Sequence, residues 1–384
     1  KLSRSITATY NGSSTWSHSF VPTWTPELVR RHQVTLAEKM EQFSPVGAGI
    51  IMAPNAAKIL AELGVDLSRH GHALPSLDLV GAGGQLLQRL ETQRLAGQYG
   101  PMWALSRPDL HAALLEQLPE RVQLILGSSA NGIRQDSRGV SVWFGDEPDP
   151  HTFDVVVGAD GLHSTVRRLS LGQQPLLYSG ATSWRGLTRN PGFLRAVEAW
   201  GPGTRIGVVP LRGGQLYYYL VRSAPRRAPE LDWPDGFRAA FAAHHSDLTR
   251  LFDMLTDRPP LHHDLEELAA PVWGSDRVFL LGDAAHAMTP NQGQGAAMAI
   301  EDAYGLMKAL RPGIAGALQR YTTLRHERVR AIQLTSRRIG KFSHWTNPLA
   351  RTVRNTFMRS LPPSLVEAQY HKLVQPALDL LAKA

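Results

Sequence analysis

The sequence predicts an α/β fold: a doubly wound, mainly parallel sheet domain with a second, mainly antiparallel sheet domain inserted in it and helices at its C-terminal end. Three observations lead there. Two apolar runs, FDVVVG (153–158) and RVFLLG (277–282), lie far apart and each enters a turn built from Gly and Asp, as buried parallel strands do at their carboxyl ends. Between them, GATSWRGLTR, TRIGVVPL and QLYYYLVR alternate or run aromatic between Gly and Pro turns, which predicts antiparallel strands. From about 293 to about 345 the apolar spacing is helical. The first domain then takes 1–175 and 271–384, with helices over 340–384; the inserted one takes 176–270, with a further piece within 65–105.

Residues 1–26 are rich in Ser and Thr, hold no acid and read as irregular. ELVRRH (27–32) has the look of a helix end, and VTLAEK (34–39) that of a short strand carrying Glu38 near its close. A helix passing into a strand that ends on an acid is the second half of a βαβ dinucleotide unit, whose carboxylate accepts hydrogen bonds from a ribose. PNAAKILAELG (54–64) predicts a helix punctuated by Pro54 and Gly64. SRPDLHAALLEQL (106–118) predicts another, with Ser106 as N-cap and Leu110, Leu114, Leu115 and Leu118 on one face. VQLILG and VSVWFG add strands before FDVVVG.

With 384 residues, 43% of them hydrophobic and 19% charged, the chain can bury a large core. No apolar run nears the roughly 18 to 20 residues that cross a bilayer. Residues 1–30 lack a secretory pattern, so a soluble, cytoplasmic protein is the expectation. Zero cysteines exclude disulfides, thiolate metal sites and cysteine nucleophiles, so redox chemistry requires a bound cofactor. The formal charge of +8 resides in residues 320–359, where ten Lys or Arg stand against Glu327 alone; such a stripe can attract a phosphorylated cofactor, an anionic membrane surface or nucleic acid, and a solvated helical face is the expected reading, since no aromatic platform or nucleic-acid motif accompanies it. The pairs His244–His245 and His262–His263 lack HExxH or a carboxylate partner set, so no metal site is expected. Ser164 lies in no GxSxG elbow, which argues against a serine hydrolase.

Two motifs carry the chemistry. VVVGADGLHSTVR (155–167) is a buried strand, a turn through Gly158, Asp160 and Gly161, a cap-like Ser164 and the cation Arg167, which can meet a phosphate. GDAAHAMTPNQGQG (282–295) sets Asp283 at the end of a strand, where open α/β sheets bind ligands and a carboxylate can accept from a polyol. The loop Pro290–Gly295 then opens a helix whose N-terminal amides favour negative charge. In order and in their separation of about 120 residues, this pair resembles the diagnostic motifs of flavin-dependent aromatic hydroxylases of the p-hydroxybenzoate hydroxylase type, and the likeness runs from about Glu27 to about Leu361.

The resemblance implies an FAD-binding domain with an inserted substrate domain. FAD would be reduced by NADH or NADPH and form a C4a-hydroperoxide with O2 that hydroxylates a small aromatic or polycyclic substrate. By position, Glu38 would bind the adenosine ribose, Arg107 the pyrophosphate or ribityl side, and Asp160 with Gly161 the region near the pyrophosphate. Asp283 would bind the ribityl chain or a phosphate-linked water, and Pro290, Gly293, Gln294 and Gly295 would line the isoalloxazine. Pro290, Arg205 and Tyr217 are the catalytic candidates; Trp184, Arg185 and Tyr219 are further pocket candidates, and Tyr217 and Tyr219, two apart on a strand, share a face. Arg205 and Tyr217 match pocket positions of relatives acting on oxidised purines, which carry an acid where this chain has Asn291. His286 reads as structural. A homodimer is compatible with the family, and no nucleic-acid partner is expected.

One departure stands out. No GxGxxG precedes Glu38, and the GAGI at 47–50 follows that acid. A shifted reading frame near the gene start and a divergent N-terminus both account for an onset of likeness this abrupt. Alternative readings are therefore an FAD-deficient homologue that only binds a ligand, or a flavin oxidoreductase that does not hydroxylate.

Overall fold

The computed structural model describes residues 5–10, 32–42, 48–255 and 260–382. Its central sheet has the strand order 274–275, 278–280, 155–159, 5–10, 33–38, 123–126. All neighbours are parallel except the 274–275 and 278–280 pair. Val155–Ala159 and Val278–Leu280 are buried along their whole length, as apolar strands covered on both faces must be.

The reading of residues 1–26 as irregular is corrected at 5–10. Ser5–Tyr10 is a central strand, paired in parallel with Val155–Ala159 on one side and Gln33–Glu38 on the other. Composition misleads here because backbone groups make a ladder, and SITATY carries enough β-branched and aromatic residues to accept one. Most of the expected helix end ELVRRH, residues 27–31, lies outside the described residues. The helix expected over 106–118 stops at Leu115; Ser106 caps it by accepting from the Asp109 amide at 3.1 Å. VSVWFG lies apart from the central sheet, in a three-stranded antiparallel sheet with 130–135 and 151–153.

A second sheet has seven strands in the order 261–268, 176–189, 215–223, 204–210, 196–200, 77–81, 86–90. Only the 77–81 and 196–200 pair is parallel. One face is a dry core: Trp184, Tyr218 and Leu220 pack against Phe237, Phe241 and Phe252 of the following short helices. Adjacent side chains alternate faces, so Arg185, Tyr217, Tyr219 and Arg205 look the other way, toward the central domain. The approach is close: a Cβ on Gly49 would stand 2.4 Å from Tyr217.

Helices Gly295–Leu310, Ala317–Ser343, Pro348–Ser360 and Pro363–Ala382 complete the chain. Among the described residues no helix is long and apolar enough to cross a membrane. The reading of 320–359 as a solvated basic face is corrected. Arg325 and Arg354 are each 1% exposed, Arg328 and Arg337 pair with the buried Glu301 and Glu267, and Arg320 and Arg330 donate to backbone carbonyls. Long guanidinium arms reach acids and carbonyls on other elements, which helical spacing cannot reveal.

Candidate active site

Parallel pairing puts the carboxyl ends of the five parallel strands of the central sheet on one edge. Tyr10 is level with both Glu38 and Ala159, and Gly158 is level with Leu280. Glu38 and the turn at Asp160 are thus two strands apart, about 10 Å, and the turn at Asp283 lies one strand further. This edge, where a doubly wound sheet binds ligands, gathers three acids that the sequence places more than 240 residues apart at the extremes. Glu38 is fully buried and accepts from the Met40 amide at 2.8 Å.

Asp160 and Arg167 do more structural work than their motif suggests. One Asp160 oxygen accepts from the Ser164 hydroxyl; the other accepts from the Thr165 and Val166 amides at 2.7 and 3.0 Å. Burial nonetheless pushes the Asp160 carboxyl above its ordinary value. Arg167 donates to the Ala284 and Leu162 carbonyls at 2.8 and 2.6 Å, so its expected use on a phosphate is replaced by clamping the two motifs together. The bond to Ala284, next in sequence to Asp283, brings the ends of the two motifs side by side.

The loop before the Gly295–Leu310 helix needs its glycines. Gly293 has φ 63°, as does Gly161 at 78°, a region that a side chain disfavours. Pro290–Gln292 form a 3₁₀ turn, and the helix amides beginning at Gly295 open next to it. Behind the loop lies a buried polar network that sequence reading missed. Asn55 donates to Gln294 at 3.0 Å and to Glu301 at 2.9 Å. Arg325 pairs with Glu301 at 2.7 Å and Asp302 at 2.8 Å; Asp302 in turn accepts from the Gly282 amide at 3.0 Å and meets His286 at 2.5 Å. Burial would raise both acids, but Arg325 holds Glu301 below its ordinary value, and His286 with Arg325 does the same for Asp302. His286 is structural, as expected, and the Gln294 side chain is turned into this network.

Facing the loop, the second sheet offers two groups. Burial, and after it the neighbouring Arg107, push Arg185 down to about 10, the mark of two cations sharing a dry space; Asp283 pulls the other way and the Tyr217 hydroxyl is hydrogen-bonded to Arg185. In the second group, Glu198 is the hub. It accepts from Arg205 Nε and Trp200 Nε1, both at 2.7 Å, and from the Tyr219 hydroxyl at 2.5 Å. Burial would raise Glu198, but Arg205 holds it below the ordinary carboxylate value. The far end of Arg205 donates to Asn291, whose amide donates to the Ser336 carbonyl at 3.0 Å. Arg205 therefore ties the sheet to the loop. A cavity of about 360 Å³ reaches Asn291 and Thr289, walled by Leu177, Ala181, Leu265 and His344.

The structure brings together Arg107, Asp160, Asp283, Tyr217, Arg185, Arg205 and the 290–295 loop. Trp184 is corrected: it points to the opposite face, 1% exposed, stacked on His262 at 4.6 Å. His262 and His263, adjacent on a strand, likewise face opposite ways, and among the described residues no group of three His or acids is placed to hold a metal. Glu198 was missed, although an acid inside the apolar run AVEAW was a signal of a buried partner.

Fold and site have the form of a doubly wound dinucleotide-binding protein, with buried acids at the carboxyl edge of the parallel sheet and a glycine loop opening a helix beside them. Comparison with known proteins names the cofactor. The family model described as an FAD binding domain matches residues 25–336. The 2-heptyl-3-hydroxy-4(1H)-quinolone synthase of Pseudomonas aeruginosa is 36% identical over 345 residues, 85% of this chain and 87% of that protein. The aurachin C monooxygenase/isomerase of Stigmatella aurantiaca is 34% identical over 343 residues, covering 86% and 88%. In fold the chain resembles Klebsiella pneumoniae HpxO complexed with FAD and uric acid, with TM-score 0.84, 24% identity and 97% of each chain covered. This chain belongs to the FAD-dependent aromatic hydroxylases.

Proposed function

We propose that this monooxygenase uses NADH or NADPH and O2 to place one hydroxyl on an electron-rich, oxygen-substituted ring of the 4-quinolone kind. The balance is substrate C–H, NAD(P)H, a proton and O2 giving substrate C–OH, NAD(P)+ and water. When bound, FAD supplies the redox chemistry that divides O2 between substrate and water. The residues fit it: Glu38 would take the adenosine ribose, Arg107 the pyrophosphate or ribityl side and Asp283 the ribityl hydroxyls. The turn at Asp160 and Gly161 would lie near the pyrophosphate, and Pro290, Gly293, Gln294 and Gly295 would edge the ring.

Arg205 carries the reading. Spanning from Glu198 to Asn291, it fixes the gap between substrate sheet and cofactor loop, and its remaining N–H groups with the Tyr217 hydroxyl would meet a ring oxygen. The neutral Asn291 suits an uncharged ring, and the quinolone in the name of the Pseudomonas aeruginosa relative supports that class. The cavity beside Asn291 is of small-ligand size and would house a ring substituent. The enzyme would act from the cytoplasm.

The test is NAD(P)H oxidation by the purified yellow protein in ¹⁸O2 with 2-alkyl-4-quinolones. One labelled oxygen in the product is expected. Stimulated oxidation with peroxide and no label would make it a non-hydroxylating oxidoreductase, and a colourless protein that FAD cannot restore would leave a binding role.

A further inference from the structure

The Pro348–Ser360 helix turns its apolar stripe the wrong way for a core helix. Leu349, Val353 and Phe357 recur every four residues on one face and are 78%, 66% and 53% exposed. Thr352, Thr356 and Ser360 are exposed around them. What anchors the helix is its opposite side, where Arg354 donates to the Ser343 carbonyl at 2.7 Å and lies over the Trp200 ring at 5.3 Å. Trp345, 39% exposed, stands at the approach to the helix, edge-on to Phe342 at 4.9 Å.

The segment that carries this stripe has one sign of charge. Residues 328–366 contain no Asp or Glu, while Arg338, Lys341 and Arg359 are exposed. We propose that this helix lies in the surface of an anionic lipid bilayer, with Leu349, Val353 and Phe357 among the acyl chains and the cations at the headgroups. A short helix with an apolar stripe, an aromatic residue beside it and only basic charge has the chemistry of an interfacial anchor. A second copy of the chain is a poor occupant: a twofold contact sets a patch against itself, and these cations would meet with no acid from the segment between them.

The surface is close to the substrate sheet. Trp200, which Arg354 covers, donates to Glu198, and Glu198 holds Arg205. Docking there would bring the site to a lipid-dissolved, apolar substrate.

The experiment is co-sedimentation of the full chain with vesicles of phosphatidylcholine alone or mixed with phosphatidylglycerol. Binding to the mixed vesicles, weakened by added salt, is expected, with little binding to phosphatidylcholine alone. Val353→Asp with Phe357→Asp should lower the partition at least tenfold, and Arg359→Gln, a surface change that leaves the fold alone, about fivefold. No binding to anionic vesicles, or equal binding by the variants, would overturn the proposal. So would a dimer in light scattering that the double variant dissociates, since the stripe would then be a contact between copies.

Discussion

Glu198 and His263 show how single side chains carry the site's energetics. Arg205 is 3% exposed and has Glu198 as its counter-charge at 2.7 Å, so Glu198→Gln leaves a buried cation uncompensated. Urea unfolding should show a loss on the order of 3 kcal/mol; an unchanged midpoint would mean that water already serves Arg205. His263 is held down to about 3, first by burial and then by Arg185. Its ordinary value is 6.5, so as pH falls below that the unfolded chain takes a proton that the folded chain refuses. Stability present above 6.5 is therefore lost as pH falls toward 3, with His244 and His344, each held down to about 4, adding to the loss. His263→Gln should flatten the fall of Tm between pH 6.5 and about 4, and an identical slope would remove this account.

Among the elements, the Gly295–Leu310 helix does the most to shape the site. Its N-terminus was legible from PNQGQG, because glycines leading into an apolar helix have few other uses. Its buried acids were not. Glu301 and Asp302 look like ordinary helix residues in sequence, and only packing shows them facing Arg325, Asn55 and the Gly282 turn. Arg325→Met removes the shared cation of a fully buried set and should cost about 3 to 5 kcal/mol. The same change should weaken FAD binding, read by flavin fluorescence, because Gly282 and Gln294 lose their support. A variant of wild-type stability would show that Arg328 alone neutralises Glu301. The inserted sheet divides the same way: its alternation was readable, but which face met the cofactor domain was not. Trp184 and Arg185 are neighbours with opposite surroundings because register decides the face.

At the scale of the molecule, the site exists only as a meeting of two sheets and a loop, so a ligand bound between them should stabilise the whole. FAD at about 100 times its Kd should add about 2.7 kcal/mol, seen as a concentration-dependent rise in Tm. No rise at saturating FAD would mark the flavin-deficient alternative. The sequence by itself determined the fold class, the two cofactor motifs and the family, because buried parallel strands and glycine turns write local patterns. It also showed that no GxGxxG precedes Glu38. Only tertiary structure decided that Ser5–Tyr10 is a central strand, that Arg167 clamps instead of binding phosphate, and that the basic stripe splits into buried ion pairs and an exposed amphipathic face. The physical reason is common to all three: each depends on partners distant in the chain, and neither residue type nor spacing says who those partners are.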